Sequence, residues 1–205
     1  KKEIEYIEKL VDQVGVTAKY QLYSVIFGGT KQKSLKKKFL ALRSKMGGDY
    51  FYSFLIQAKD LLHYAYVHHR ELSGIEDASQ AYQRMLRKTK LKAIAKFIDE
   101  EDGYFANSII VNFSQKLNWN KKQGDNNIQV GEVQLPGYYG SAWVIDGQHR
   151  LYGISNATND VVVPVIAFEK MEQAAQASLF VDINEQQKKV PSDLLWDLYS
   201  DTAVQ

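Results

Sequence analysis

The sequence predicts an α+β fold: a small mixed sheet flanked by helices, with a helical appendage at the N-terminus. Three observations lead there. Short runs rich in aromatic and β-branched residues recur from residue 49 onward. Between them lie segments whose apolar residues repeat at three- and four-residue spacing. At residues 144–151 an apolar run passes through Asp146-Gly147 into a helical pattern, a strand-to-helix junction. Hydrophobic residues make up 45% of the 205, which suffices for a sizeable core and argues against global disorder. That length suits one generous domain, or one domain with an appendage.

Residues 1–46 read as helical, because Ile4, Ile7, Leu10, Val11 and Val14 recur at helical spacing. Gly28-Gly29 breaks the pattern, and a basic stretch with Leu35, Phe39, Leu40 and Leu42 follows. Gly47-Gly48 punctuates again and divides a helical appendage, 1–48, from a domain, 49–205. Residues 50–56 read as a strand, 58–64 as a short helix carrying Leu61 and Leu62, and 65–69 as a further strand. The clearest helix is 87–98, where Leu91, Ile94, Ala95 and Ile98 form one stripe and Lys88, Lys92 and Lys96 a basic row. Asp102-Gly103 ends it. Residues 108–113 are an apolar strand, 118–127 a polar loop, and 131–135 and 141–145 strands around Pro136-Gly137. A helix then runs to residue 156. Residues 161–168 form a buried strand whose Pro164 implies an edge or a bulge. Helices follow at 172–180 and 192–199, the second with Ser192 at its N-cap. The sequence contains no internal repeat and no low-complexity tract.

Cysteine is absent, which excludes disulfides, Cys-ligated zinc, iron–sulfur clusters and thiol catalysis within this chain. The longest apolar run, 161–168, is too short to span a bilayer and contains Pro164. With no cysteine and no basic-then-apolar leader, the chain reads as cytoplasmic, with no membrane partner. Net charge is only +2, but the basic residues are clustered. Residues 31–45 hold seven and residues 84–96 six, with no acidic residue in either block. Such blocks suit a polyanion such as DNA, or else plain solvated faces; the sequence leaves both open.

The chemistry concentrates at Asp146-Gly147-Gln148-His149-Arg150. An apolar strand delivers Asp146 to its end, Gly147 permits a tight turn, and the helix starting there offers unpaired N–H groups to an anion. Arg150 adds a planar cation suited to phosphate oxygens. Gln148 can orient a water, His149 can donate or relay a proton, and Asp146 can act as a base or hold a metal ion. The plainer alternative is a surface turn in which Asp146 caps the helix.

These residues, continued by Leu151-Tyr152-Gly153, resemble the signature of the DGQHR-domain proteins, a group that includes the DndB proteins of DNA phosphorothioation clusters. Tyr82-Gln83-Arg84, the 91–98 helix and residues 107–113 are similar to the first box of ParB N-terminal domains. Residues 147–150 with 163–167 are similar to the second box. Phe180-Val181-Asp182-Ile183-Asn184 resembles a third stretch shared by DGQHR proteins. The resemblance covers residues 80–200 and implies a ParB/sulfiredoxin-like fold. It also implies a nucleotide or phosphate site lined by Gly147, Gln148, His149 and Arg150, with Arg84, Asn107 and Asn184 approaching it. Sulfiredoxin has Gly-Cys-His-Arg where this chain has Gln148 in the Cys position, so sulfinic reductase chemistry is excluded. Nucleotidase domains of some modification-dependent restriction systems carry Asp-Gly-Gln-Gln-Arg, which differs only at His149. The second ParB box has Glu and a doubled Arg, so CTP specificity and sliding-clamp behaviour do not carry over.

The resulting expectation is a DNA-associated nucleoside triphosphate hydrolase of a bacterial DNA-modification or phage-defence system. Asp146, Gln148 and His149 would be catalytic, Mg²⁺ would sit on Asp146, and Lys88, Lys92 and Lys96 would face DNA. The alternatives are a DndB-like DNA-binding transcriptional regulator without turnover, and an assembly module in a complex of defence or modification proteins. A homo-oligomer fits any of these. His63, His68 and His69 read as surface residues, residues 99–102 as a solvated helix end rather than a metal cluster, and Trp119 as packing or a base-stacking platform.

Overall fold

The computed structural model describes residues 31–66 and 88–186. They form one eight-stranded mixed sheet with four α-helices among the described residues. The strands are β1 (Lys38–Met46), β2 (Asp49–Gln57), β3 (Ala65–Tyr66), β4 (Ile109–Phe113), β5 (Asn118–Gly124), β6 (Gln129–Gln134), β7 (Ala142–Asp146) and β8 (Val162–Glu169). The helices are α1 (Ala58–Tyr64), α2 (Lys88–Glu100), α3 (Gln148–Ile154) and α4 (Gln173–Gln186). The sheet order is β3-β7-β4-β8-β2-β1-β6-β5, with β3/β7 and β4/β8 parallel and the other pairs antiparallel.

Alternation along the strands sorts the sheet into two faces. Tyr52, Phe54, Ile56, Val111, Phe113, Val163, Val165 and Ala167 are buried on one face. They share a core with Leu61, Leu62 and Tyr64 of α1, Leu91 and Ile98 of α2, and Leu151, Tyr152 and Ile154 of α3. Gly153 lets α2 and α3 touch, since a Cβ there would lie 2.6 Å from Ile94 Cβ. The opposite face carries Leu40, Leu42 and Met46 of β1, Leu55 of β2 and Val162 of β8, each at least 49% exposed.

The α+β class with a mixed sheet is what the sequence predicts, but the sheet is larger because two segments differ from their reading. Residues 38–46, expected to be helical, form β1 between β2 and β6. Gly47 and Gly48, expected to mark a domain boundary, form a two-residue hairpin turn with φ of 59° and 96°, the left-handed values such turns require. Residues 118–124, expected to be loop, form the edge strand β5, whose polar side chains pair across to β6 at Asn120–Glu132 (3.1 Å) and Trp119–Gln129 (3.0 Å). Pro164 lies in a strand at the middle of the sheet, not at its edge. The β4 ladder begins only at Val165, so at Pro164 itself β2 is the sole neighbour and no ladder bond to β4 is lost. Residues 1–30 of the expected helical segment 1–46, the expected helix at 192–199, and residues 67–69 of the expected third strand lie outside the described residues.

Candidate functional site

The strand-to-helix junction forms as the sequence predicts. Val144 and Ile145 are buried, which anchors the end of β7, and the register against β4 shifts between Ile110 and Val111. The backbone turns at Gly147, which takes a left-handed φ of 89°. A Cβ at Gly147 would lie 2.6 Å from Ile109 Cδ1 and 3.2 Å from Arg150 Nη2, so the position is closed to side chains on two counts. The first helical bond of α3 runs from Leu151 N–H to Gly147 O, 2.8 Å. Among the described residues no side chain caps the helix, and the N–H groups of Gln148, His149 and Arg150 precede that first bond.

Asp146 therefore is not an N-cap. It accepts a hydrogen bond from Arg150 Nη2 at 2.8 Å, one helical turn on. Arg150 Nη1 donates to Asn107 O at 2.7 Å. The two charged side chains are 22% and 17% exposed, so the pair is partly shielded from salt and solvent. The guanidinium is thus fixed beside the open helix start by one carboxylate and one carbonyl. The pair is electrically neutral, so an anion here would rely on the N–H groups and the unused guanidinium donors rather than on a free cation.

Of the predicted site residues, Asp146, Gly147, Arg150 and Asn107 come together. Asn107 takes part through its carbonyl, while its side chain is exposed. Gln148 and His149 are partly buried on the first turn of α3, with His149 Nε2 itself buried. Arg84 and the side chains of Lys88 and Asn184 lie outside the described residues. Lys92 and Lys96 are exposed on α2, and Lys96 is paired with Glu100 at 3.5 Å. Sequence reasoning missed the Asp146–Arg150 pair, although the four-residue spacing into a helix was its signal. It also missed Ile109, which fills the space beneath Gly147 and had no sequence signal beyond being apolar.

A separate cavity of about 310 Å³ opens on the other side of β7, beneath the start of α4. Tyr66, Asn112, Trp143, Lys170 and Gln176 line it, and the Asp146–Arg150 turn does not. Asn112 fixes the chain there by accepting from Met171 N–H at 3.1 Å.

The secondary candidates resolve as structure. Asp99, at the C-terminal end of α2, accepts from Thr158 N–H (2.9 Å) and Asn159 N–H (3.3 Å), and these bonds lower its pKa. Among the described residues no group of three His, Cys, Asp or Glu could hold a metal ion. Trp119 packs edge-on against Tyr52, at 5.6 Å between ring centroids. His63 packs against Tyr139 at 6.0 Å; His68 and His69 lie outside the described residues. Burial pushes the Tyr152 phenol on α3 well above its ordinary pKa. Among the described residues no helix is long and apolar enough to cross a membrane.

The model of one protein family, DndB, described as DNA-sulfur modification-associated, matches residues 39–203. The curated proteins and the solved structures gave no significant match.

Proposed function

Since the chain belongs to the DndB family of DNA-sulfur modification-associated proteins, we propose that it is a cytoplasmic, DNA-associated nucleotide-binding protein with a ParB/sulfiredoxin-like core. In this reading it serves a bacterial DNA-modification or phage-defence system, and its Asp146–Arg150 turn binds and hydrolyses a nucleoside triphosphate. The observation that carries this reading is the uncapped first turn of α3, presented by left-handed Gly147 with the Arg150 guanidinium fixed beside it. Backbone N–H groups and a planar guanidinium are the donors a phosphate chain needs. A helix of two turns has only a weak dipole, so the local donors matter more than the helix as a whole.

Hydrolysis there is positioning and charge stabilisation. Arg150 and the N–H groups hold the phosphates, Gln148 orients the attacking water, and His149 donates to a phosphate oxygen. Asp146 positions that water or takes its proton. Mg²⁺ would be held by the Asp146 carboxylate together with nucleotide oxygens and water, the ligand set usual for this ion. It would supply screening of the phosphate charge. Lys92, with Lys88 and Lys96, faces the DNA partner, and other modification or defence proteins, or further copies of this chain, complete the assembly.

The Asp146–Arg150 pair itself favours a second reading. A guanidinium already neutralised suits a DndB-like DNA-binding transcriptional regulator, whose turn holds a phosphate without turnover. Phosphate release by the purified chain, measured with each of the four NTPs, with and without Mg²⁺ and DNA, separates the two. On the first reading Arg150→Ala loses binding and turnover together, and Asp146→Asn keeps nucleotide bound but loses turnover. Binding without turnover by the wild type supports the regulator, and no nucleotide binding at all defeats both assignments of the turn.

A further inference from the structure

The sheet has one face packed under α1, α2 and α3, and another that is apolar yet open. On that open face Leu40 is 73% exposed, Leu55 64%, Met46 58%, Val162 50% and Leu42 49%. They belong to three strands adjacent in the sheet, β1, β2 and β8. Cross-strand partners Leu55–Pro164 and Leu42–Ser53–Ile166 join Leu40, Leu42 and Leu55 into one surface, with Val162, opposite Gln57, and Met46, opposite Asp49, at its two ends. Apolar residues scattered singly on a surface are ordinary; a contiguous set in the middle of a sheet marks a covered or partner-binding face. Burial on this face increases toward α4: Phe168 is 4% exposed and Asn112 is 4% exposed, next to Met171.

We propose that the open face is a docking surface for the chain's own C-terminal segment, residues 192–199. Three observations select that occupant. First, the chain already enters this side of the sheet after β8: Met171 bonds to Asn112, and α4 packs against β7. Secondly, the reach is sufficient. Strands lie about 4.8 Å apart, so β2 is about 14 Å from β7. Five residues, 187–191, span up to about 17 Å, which covers that separation for a segment leaving α4 beside β7, the strand α4 packs against. Thirdly, the segment has the right pattern. Leu194, Leu195 and Leu198 fall on one side of a helix and Asp193, Asp197 and Asp201 on another, with no Lys or Arg between 192 and 201. Lys38 stands on the open face, in line with Leu40 and Leu42 and beside Glu132.

The N-terminal segment is also apolar at helical spacing, but Leu35, which follows it, lies on the α1 side of the sheet, so the test below includes it. Lys31 pairs with Tyr138, and Leu35 is buried against the α1 side, where its carbonyl accepts from Tyr64 OH.

The absence of native cysteine makes the test direct. Leu55→Cys is combined in the full chain with Leu195→Cys, Leu198→Cys or Asp197→Cys, and each pair is oxidised at low protein concentration. The docked segment gives a disulfide within one chain for position 195 or 198, at least tenfold faster than for 197. A disulfide only between two chains makes a second copy the occupant and overturns the proposal. So does a disulfide from Leu55→Cys to Ile7→Cys, or no preference among the C-terminal positions. Hydrophobic-dye binding provides a check that needs no new cysteine. Leu194→Ser with Leu198→Ser should raise dye binding severalfold at unchanged far-ultraviolet circular dichroism, and unchanged dye binding refutes the docking.

Discussion

Replacing Gly147 by Ala tests how the candidate site is built. The φ of 89° puts the residue where a Cβ costs about 1–2 kcal/mol. The stiffer unfolded chain returns about 0.4–1 kcal/mol of that. The new methyl would also lie 2.6 Å from Ile109 Cδ1, and Ile109 is 1% exposed, so the overlap is relieved only by moving a packed side chain. Overpacking of this kind costs about 1–3 kcal/mol. The expected net loss is about 1–5 kcal/mol, read as a lower urea midpoint at unchanged slope. Ile109→Val removes the clashing atom and costs about 0.5–1.5 kcal/mol alone. The next atom the new methyl would meet on residue 109 is its Cα at 3.4 Å, an ordinary contact. The double variant should therefore be more stable than the sum of the two losses by about 1 kcal/mol or more, which is the steric part recovered. Strict additivity, or a Gly147→Ala variant as stable as wild type, would refute the geometry assigned to this turn.

Other expectations follow from the same structure. Gly153→Ala should lower the melting temperature by several degrees, because its methyl meets Ile94 where α2 and α3 touch; Ile94→Val, which leaves Cβ and Cγ2 in place, both 2.6 Å from that methyl, should not rescue it. The Asp99 carboxylate is held at a lowered pKa by Thr158 and Asn159, so its contribution is present above the ordinary carboxylate pKa and fades as pH falls through the folded value. Asp99→Asn should flatten that part of the acid limb of a stability–pH curve, and an unchanged limb would assign the acid sensitivity elsewhere. Lys88→Glu with Lys92→Glu should weaken DNA binding and reduce its salt slope by about 0.9 for each phosphate no longer neutralised; unchanged affinity removes α2 from the DNA face.

The candidate turn was legible because its determinants are local: an apolar strand, Asp-Gly, and a helical pattern within eight residues. β1 was not, because both of its faces are apolar. Phe39 and Ala41 face the core side while Leu40, Leu42 and Met46 face the open side, so the two-residue alternation that marks a strand is erased. β5 failed for the opposite reason. Its side chains are nearly all polar and solvated, and what makes it a strand is the pairing with β6 rather than any preference of its own. Its hairpin turn did carry a signal, Gly124-Asp125-Asn126-Asn127, where Asp125 Oδ1 accepts from the N–H groups of Asn127 (2.7 Å) and Ile128 (2.9 Å). The Arg150 bond to Asn107 spans 43 residues, beyond any local pattern.

The place of β1 also bears on how this protein can be divided. Although first among the described strands in the chain, it is stitched between β2 and β6, and is the only described strand that links the β6–β5 hairpin to the rest of the sheet. A polypeptide begun at residue 49 would keep the whole Asp146–Arg150 turn and still lose that link. Two raw strand edges would then face solvent, each with its row of unpaired N–H and C=O groups, and such edges recruit neighbouring chains. Insolubility of such a fragment would reflect a missing plank in the sheet, and would say nothing against the chemistry of the turn it carries.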